Sequence, residues 1–161
     1  MIIIITGTPG TGKTEIAKSL AKIIHHKYID VNKIIKDYSL RECYDKQRNT
    51  YIIDEKKLSK ILIKLIKNNK DIIIDSHLSH YIPAKYVDLC IVTKTDLKEL
   101  KKRLIKRKYN PLKIKENLEA EAFDICLVEA LESKHNVIQL DTTKKTIKQS
   151  LNYLKNETCK N

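Results

Sequence analysis

The sequence predicts an α/β domain built on a mainly parallel sheet, and three observations predict it. Residues 2–6, IIIIT, form an unbroken β-branched run of the kind that a parallel sheet buries on both faces. Similar runs recur at 71–75 (DIIID), 87–93 (VDLCIVT) and 136–141 (NVIQLD). The stretches between them carry apolar residues at helical spacing, and strands that alternate with helices imply parallel pairing. With 161 residues and no repeat, linker or low-complexity segment, the chain reads as one domain, 1–161, large enough to bury a core without staples.

The first run leads through a glycine-rich segment into a helix over 13–26, where Ile16, Leu20, Ile23 and Ile24 share a face. KYID (27–30) suits a short second strand. From Val31 to Ile53 charge and tyrosine mix irregularly, and only the beginning looks helical. Asp54 can cap a helix over 55–69 whose apolar face is Leu58, Ile61, Leu62, Leu65 and Ile66. Further helices are expected at 96–108, from Pro111, a favoured first-turn residue, to about Lys134, and at 143–157.

Apolar residues at 42% and charged residues at 32% fit a soluble globular protein. No apolar run approaches the ~20 residues of a membrane span. The short apolar start lacks the basic lead of a signal peptide, so a cytosolic location is expected. Cys43, Cys90, Cys126 and Cys159 form no Cys-x-x-Cys pair and stand near no His at zinc-finger spacing, so they read as core fillers or bystanders. The net charge of +12, from 28 Lys and 4 Arg against 20 acids, favours polyanionic partners such as nucleotides or RNA.

All three glycines, Gly7, Gly10 and Gly12, lie in GTPGTGKTE (7–15). Residues 7–14 satisfy G-x-x-x-x-G-K-[ST] between a buried strand and a helix start, the setting a phosphate-binding loop requires. Backbone N–H groups must curl around phosphate oxygens there, and side chains on the loop would block the approach. Lys13 then brings charge to the β and γ phosphates, Thr14 a hydroxyl for Mg²⁺, and the helix its positive dipole end. ATP and Mg²⁺ are the implied ligands.

Such a loop needs an acid near the metal. Asp75 follows three isoleucines and should emerge at the carboxyl edge of a strand beside the first, where it could bind Mg²⁺ or simply cap a turn. His77, two residues on, should point to the same side; it could orient water or phosphate, or bond within a loop. His25, His26, His80 and His135 read as surface or loop residues. Arg41 and Arg48 fall in the irregular insert, while Arg103 and Arg107 stand one helical turn apart. A guanidinium grips phosphate bidentately as lysine does not, so one pair could serve each phosphate-bearing substrate. Arg107, nearer the YNP turn, is the better candidate, and Arg103 could equally belong to a solvated helix face.

GTPGTGKT, the DSH triplet at 75–77, IIDEKKL before a helix, and RLIKRKYNPLKIKENLEAEAF together resemble the small adenylate kinases of the nuclear isoenzyme type, with their archaeal relatives and a factor of small-subunit ribosome maturation. The resemblance runs in order from Ile2 to about Ile138. It implies a P-loop NTPase three-layer fold with a five-stranded parallel sheet and helices on both faces. It also implies an acceptor segment near 30–53 holding a nucleoside monophosphate through Asp30, Lys36 and Arg41, and a lid near 106–116. Gly10, Gly12, Lys13, Thr14, Glu15 and Arg107 would take ATP; Lys13, Asp75, His77 and Arg107 would be catalytic; Thr14 and Asp75 would hold the metal.

The resemblance further implies phosphoryl transfer from ATP to AMP or a related monophosphate, ATPase activity, and work as a monomer in late small-subunit (16S rRNA) maturation, binding ribosomal protein S11 and lying near rRNA, with no membrane involved. Four positions depart from the pattern: Glu15 stands for a second Thr, Lys36 for an Arg, Lys108 for a lid glycine and Ser76 for a bulkier residue. An ATPase assembly factor is the alternative to the kinase, and a kinase for another small acceptor is a third reading. Tyr38, Tyr44 and Tyr51 could stack on an acceptor base.

Overall fold

Four isoleucines in a row can be buried only if both faces of a strand are covered, and this is how the chain begins. In the computed structural model, which describes residues 1–158, β1 (Ile2–Thr6) is the central strand. Side chains alternate across it: Ile2 and Ile4 enter one core, Ile3 and Ile5 the other. The chain continues as α1 (Lys13–Ile23), β2 (Lys27–Asp30), α2 (Val31–Asp37), β3 (Arg41–Asp45), β4 (Thr50–Ile53), α3 (Glu55–Lys67) and β5 (Ile72–Asp75). After short 3-10 turns at Ser79–Tyr81 and Ala84–Tyr86 come β6 (Leu89–Lys94), α4 (Leu97–Lys106), α5 (Pro111–Ala122), α6 (Ile125–Glu132), β7 (Val137–Asp141) and α7 (Ile147–Thr158).

Five strands form one parallel sheet in the order β2-β5-β1-β6-β7. α1 and α7 cover one face through Ile16, Leu20, Leu151 and Leu154. α2, α3 and α6 cover the other through Val31, Ile34, Leu58, Leu62, Ile66 and Ala130. Asp54 caps α3 as expected, accepting from Lys57 N at 2.9 Å. Asn110 accepts from Lys113 N at 2.8 Å ahead of Pro111. Both neighbours of β1 follow it in the chain, β5 on one side and β6 on the other, so the direction of progress across the sheet reverses at β1, and the carboxyl ends of β1 and β5 border the crevice where open α/β sheets take ligands.

Two expectations change. The helix expected from Pro111 to Lys134 is two helices, α5 and α6, broken at Asp124, whose φ of +54° is left-handed. The break lets the Asp124 carboxylate pair with Lys94 while Glu121, buried, accepts from Thr95 N at 2.7 Å. The irregular 31–53 stretch is α2 followed by a separate antiparallel hairpin, β3–β4, whose strand residues are largely exposed. Cys43 is exposed, Cys90 buried and Cys126 half-buried, while Cys159 lies outside the described residues.

Candidate active site

The phosphate loop runs from the end of β1 to the start of α1, clamped by threonine hydroxyls from neighbouring strands. Thr11 Oγ1 lies 2.6 Å from Thr93 Oγ1 on β6, and the Thr142 hydroxyl, just past β7, lies 2.8 Å from the Thr11 carbonyl. A Cβ on Gly7 would sit 2.4 Å from the Thr93 carbonyl, so this glycine is required by packing against β6. A Cβ on Gly12 would meet only ordinary contacts with Thr142 at 3.9 and 4.0 Å, but its φ of +89° makes its need conformational. The expectation that glycine serves only to clear a path for phosphate is therefore incomplete.

Lys13 folds back over the loop, its ammonium donating to the carbonyls of Gly7 at 2.6 Å and Thr8 at 3.0 Å. Withdrawal from water lowers its pKa from 10.5 to about 8, against the opposing pull of Asp75. Gly12, the N-cap of α1, offers no side chain to the first-turn N–H groups. A desolvated cation beside an uncapped helix start fits a polyphosphate.

Asp75 closes β5 beside β1, buried, and accepts from the Tyr28 hydroxyl at 3.1 Å; burial first, then this carboxylate, raises the tyrosine's pKa. Lys13, Thr14, Asp75, His77 and Arg107 all line one cleft of about 590 Å³. Asp75, buried, and Thr14, exposed, both line this cleft, and a carboxylate and a hydroxyl are oxygen donors that could hold Mg²⁺ alongside phosphates. His77 is exposed on the wall of this cleft. Partial withdrawal of the ring from water, then the charge of Lys13, lowers its pKa from 6.5 to about 4, so the ring is neutral at pH 7.

A second cleft of about 570 Å³ is bordered by Gly10, Gly12, Glu15, Arg103, Arg107 and Lys145. Arg107, at the carboxyl end of α4, is common to both clefts. Arg103 instead serves the scaffold: it pairs with Glu99 at 3.0 Å and donates to the Thr142 carbonyl at 3.0 Å, bracing the loop after β7. Glu15 is exposed at the rim of the second cleft. Lys108, where the sequence resemblance has glycine, takes a φ of +56°.

Of the residues expected to hold an acceptor, Asp30, Lys36 and Arg41 do not line the first cleft. Asp30 caps α2, accepting from Asn32 N at 2.9 Å. Lys36 is exposed, and the Arg41 guanidinium lies 4.4 Å from the Tyr51 ring centroid. Tyr51 packs on Tyr44, their centroids 5.0 Å apart, and the cleft is lined instead by Tyr81 and Tyr109. Arg48 is the hairpin's arginine in the cleft, bound bidentately by Glu116 of α5 at 2.8 to 3.1 Å. Asn110 Nδ2 donates to the Gln47 carbonyl at 2.9 Å beside it, joining the hairpin tip to the turn between α4 and α5. His80 and His135 are buried, not surface residues, because each is enclosed between the segment after β5 and α6 or its exit.

Proteins named "Putative adenylate kinase" from Methanocaldococcus jannaschii and Methanosarcina barkeri are 40% and 42% identical to the chain, over 91% and 93% of its length and 80% and 81% of theirs. One from Pyrococcus furiosus is 39% identical over 97% of the chain and 83% of its own length. The chain belongs to this archaeal family. A family model described as an AAA domain matches residues 3–124. Shikimate kinase from Acinetobacter baumannii, solved with shikimate, superposes with a TM-score of 0.69 over 99% of this chain and 93% of that one; at 13% identity this shows a shared P-loop kinase fold. Among the described residues, no helix is long and apolar enough to cross a membrane.

Proposed function

We propose that the chain is a nucleoside monophosphate kinase of the adenylate kinase type, moving the γ-phosphoryl of ATP to AMP or a related monophosphate. One observation carries the reading: two clefts, each bordered by part of the phosphate loop, meet at Arg107. A donor in one and an acceptor in the other would bring their phosphates together beside Lys13. Lys13 neutralises the β and γ phosphates, and Arg107 the phosphoryl group in transit. Thr14 and Asp75 would hold Mg²⁺, which supplies charge neutralisation and alignment of the phosphates when bound. Holding both nucleotides in line is the main catalytic contribution, and no covalent enzyme intermediate is needed.

Similarity to archaeal relatives supports the kinase class. AMP as acceptor rests on the name those relatives carry. Coupled measurement of ADP formation from ATP with AMP, GMP, CMP, UMP, shikimate or no acceptor is the test. Transfer to a monophosphate above the no-acceptor rate is expected; ADP formation equal in every arm ends the kinase reading and leaves an ATPase.

Hydrolysis of ATP is a second activity in this reading, supported by the neutral His77 ring on the wall of the same cleft, which can accept a proton or orient water. The ribosomal setting, with S11 and pre-ribosomal small subunit as partners, follows from the sequence resemblance and a net charge of +12 suited to rRNA proximity. Recovery of small-subunit proteins on the immobilised chain, with and without ATP, tests it. Recovery of none in either state removes that role.

A further inference from the structure

Three carboxylates line the first cleft, which the hairpin residues Arg48 and Thr50 border and which in the proposed kinase would take the acceptor: Asp75, Glu116 and Glu129. Asp75 stands with Lys13, and Glu116 is held by Arg48. Glu129, on α6, has no such assignment, yet it is fixed in place. Its Oε2 is 2.8 Å from Nε2 of His80, whose Nδ1 is 2.7 Å from Thr6 Oγ1 at the end of β1. His80 is 1% exposed, and its own carbonyl accepts from His135 Nε2 at 2.9 Å. The Tyr81 hydroxyl lies 3.4 Å from both Glu129 oxygens, and its ring packs on His80 with centroids 4.3 Å apart.

Burial lowers the His80 pKa against the pull of Glu129. A neutral ring satisfies every partner: Nε2–H donates to the carboxylate and Nδ1 accepts from the Thr6 hydroxyl. This strut runs from the strand that carries the phosphate loop to one wall of the cleft. It engages Oε2, and among the described residues Oε1 meets Tyr81 alone, at 3.4 Å, so the carboxylate keeps accepting capacity in the cleft.

Cations dominate the rest of that cleft: Lys13, Arg48, Arg107 and Lys113. They suit the phosphates, which a fixed carboxylate repels, so Glu129 suits the uncharged half of an acceptor. Chemistry that a carboxylate recognises there is a hydrogen-bond donor, either a ribose hydroxyl or an amino or ring N–H group of the base. We propose that Glu129, held by His80 and Tyr81, is a specificity-determining residue that accepts hydrogen bonds from the nucleoside half of the acceptor. His80 is its positioning residue. The inference rests on the kinase reading above.

Calorimetry of AMP and of a non-hydrolysable ATP analogue with wild type, Glu129→Gln and His80→Ala tests it. The glutamine keeps the volume and an oxygen for His80 but loses the charge. AMP affinity is expected to fall about ten- to a hundredfold in Glu129→Gln, with ATP-analogue affinity unchanged. His80→Ala should show the same selective loss, the double variant little more, and His80→Gln, which retains an N–H donor, should recover much of it. Equal AMP affinity in wild type and Glu129→Gln overturns this inference alone; no monophosphate binding to wild type overturns it together with the kinase reading. A deficit that vanishes with 2′-deoxyadenosine monophosphate assigns the bond to the ribose. One that vanishes with inosine monophosphate assigns it to the base amino group, and either supports the proposal.

Discussion

Binding of a nucleotide polyphosphate at Lys13 is expected to draw a proton out of solution. Burial holds the free ammonium's pKa at about 8 instead of 10.5. At pH 8.5 about three-quarters of the unliganded protein then carries a neutral Lys13, which incoming phosphates return to the charged form. Uptake should be about 0.75 proton per nucleotide at pH 8.5 and about 0.1 at pH 7. Affinity should fall by about tenfold for each pH unit above 8 until the bound-state pKa is passed. Titration calorimetry with a non-hydrolysable ATP analogue, in buffers of different ionisation enthalpy, reads the uptake directly. Lys13→Met should remove both the uptake and the pH dependence. Uptake below about 0.2 proton at pH 8.5 in wild type, or uptake unchanged in Lys13→Met, would refute the reasoning. The sign for stability is opposite. Because the folded pKa lies below the unfolded one, the charged lysine costs the free protein roughly 3 kcal/mol at pH 7, and this cost is relieved as pH rises from 8 to 10.5.

Arg107→Ala should lower phosphoryl-transfer kcat by about 10³ or more, as loss of a charge on the transferring group does; a loss under about tenfold in the ADP-formation assay removes Arg107 from that role. Lys108→Gly should relieve the left-handed residue at φ +56° and stabilise the fold by about 1 kcal/mol, raising Tm by about 2–4 °C in a calorimetric scan. An unchanged or lower Tm contradicts the strain. Arg48→Ala breaks an exposed ion pair of modest strength, so acceptor KM should rise no more than about fivefold while amide exchange over 45–50 quickens. A fiftyfold rise would instead mean that the guanidinium grips the acceptor phosphate itself.

The donor half was the legible half. Strand β1 and the phosphate loop declare themselves because four isoleucines and three glycines have few other physical uses in one short stretch. Asp75 could be placed because a run of three isoleucines fixes where a buried strand ends. The acceptor side was harder. Residues of β3 and β4 are mostly exposed, so no hydrophobic alternation marks them, and Asp30, Lys36 and Arg41 were expected in a cleft that is lined by Asn32, Arg48 and Thr50. His80 left no sequence signal of burial because its partners, Thr6 and Glu129, are 74 and 49 residues away. The break at Asp124 depends on Lys94, equally remote in the chain. A spacing of three from Cys126 to Glu129 did place both on one helical face, the one available hint that α6 borders the cleft.

The hairpin built by β3 and β4 pairs with no strand of the main sheet and is anchored at its base by buried Leu40, whose carbonyl accepts from Asp54 N at 3.3 Å. A two-stranded ribbon whose residues are mostly exposed is marginal in water, whereas β1 lies between two cores. Warming should therefore act unequally on the molecule. The ribbon should loosen first. In the proposed kinase the chain would then pass through a temperature range in which it still grips one nucleotide but has lost its hold on the other, with heat tolerance of transfer set by residues 41–53 and that of nucleotide retention by the strands around Ile4.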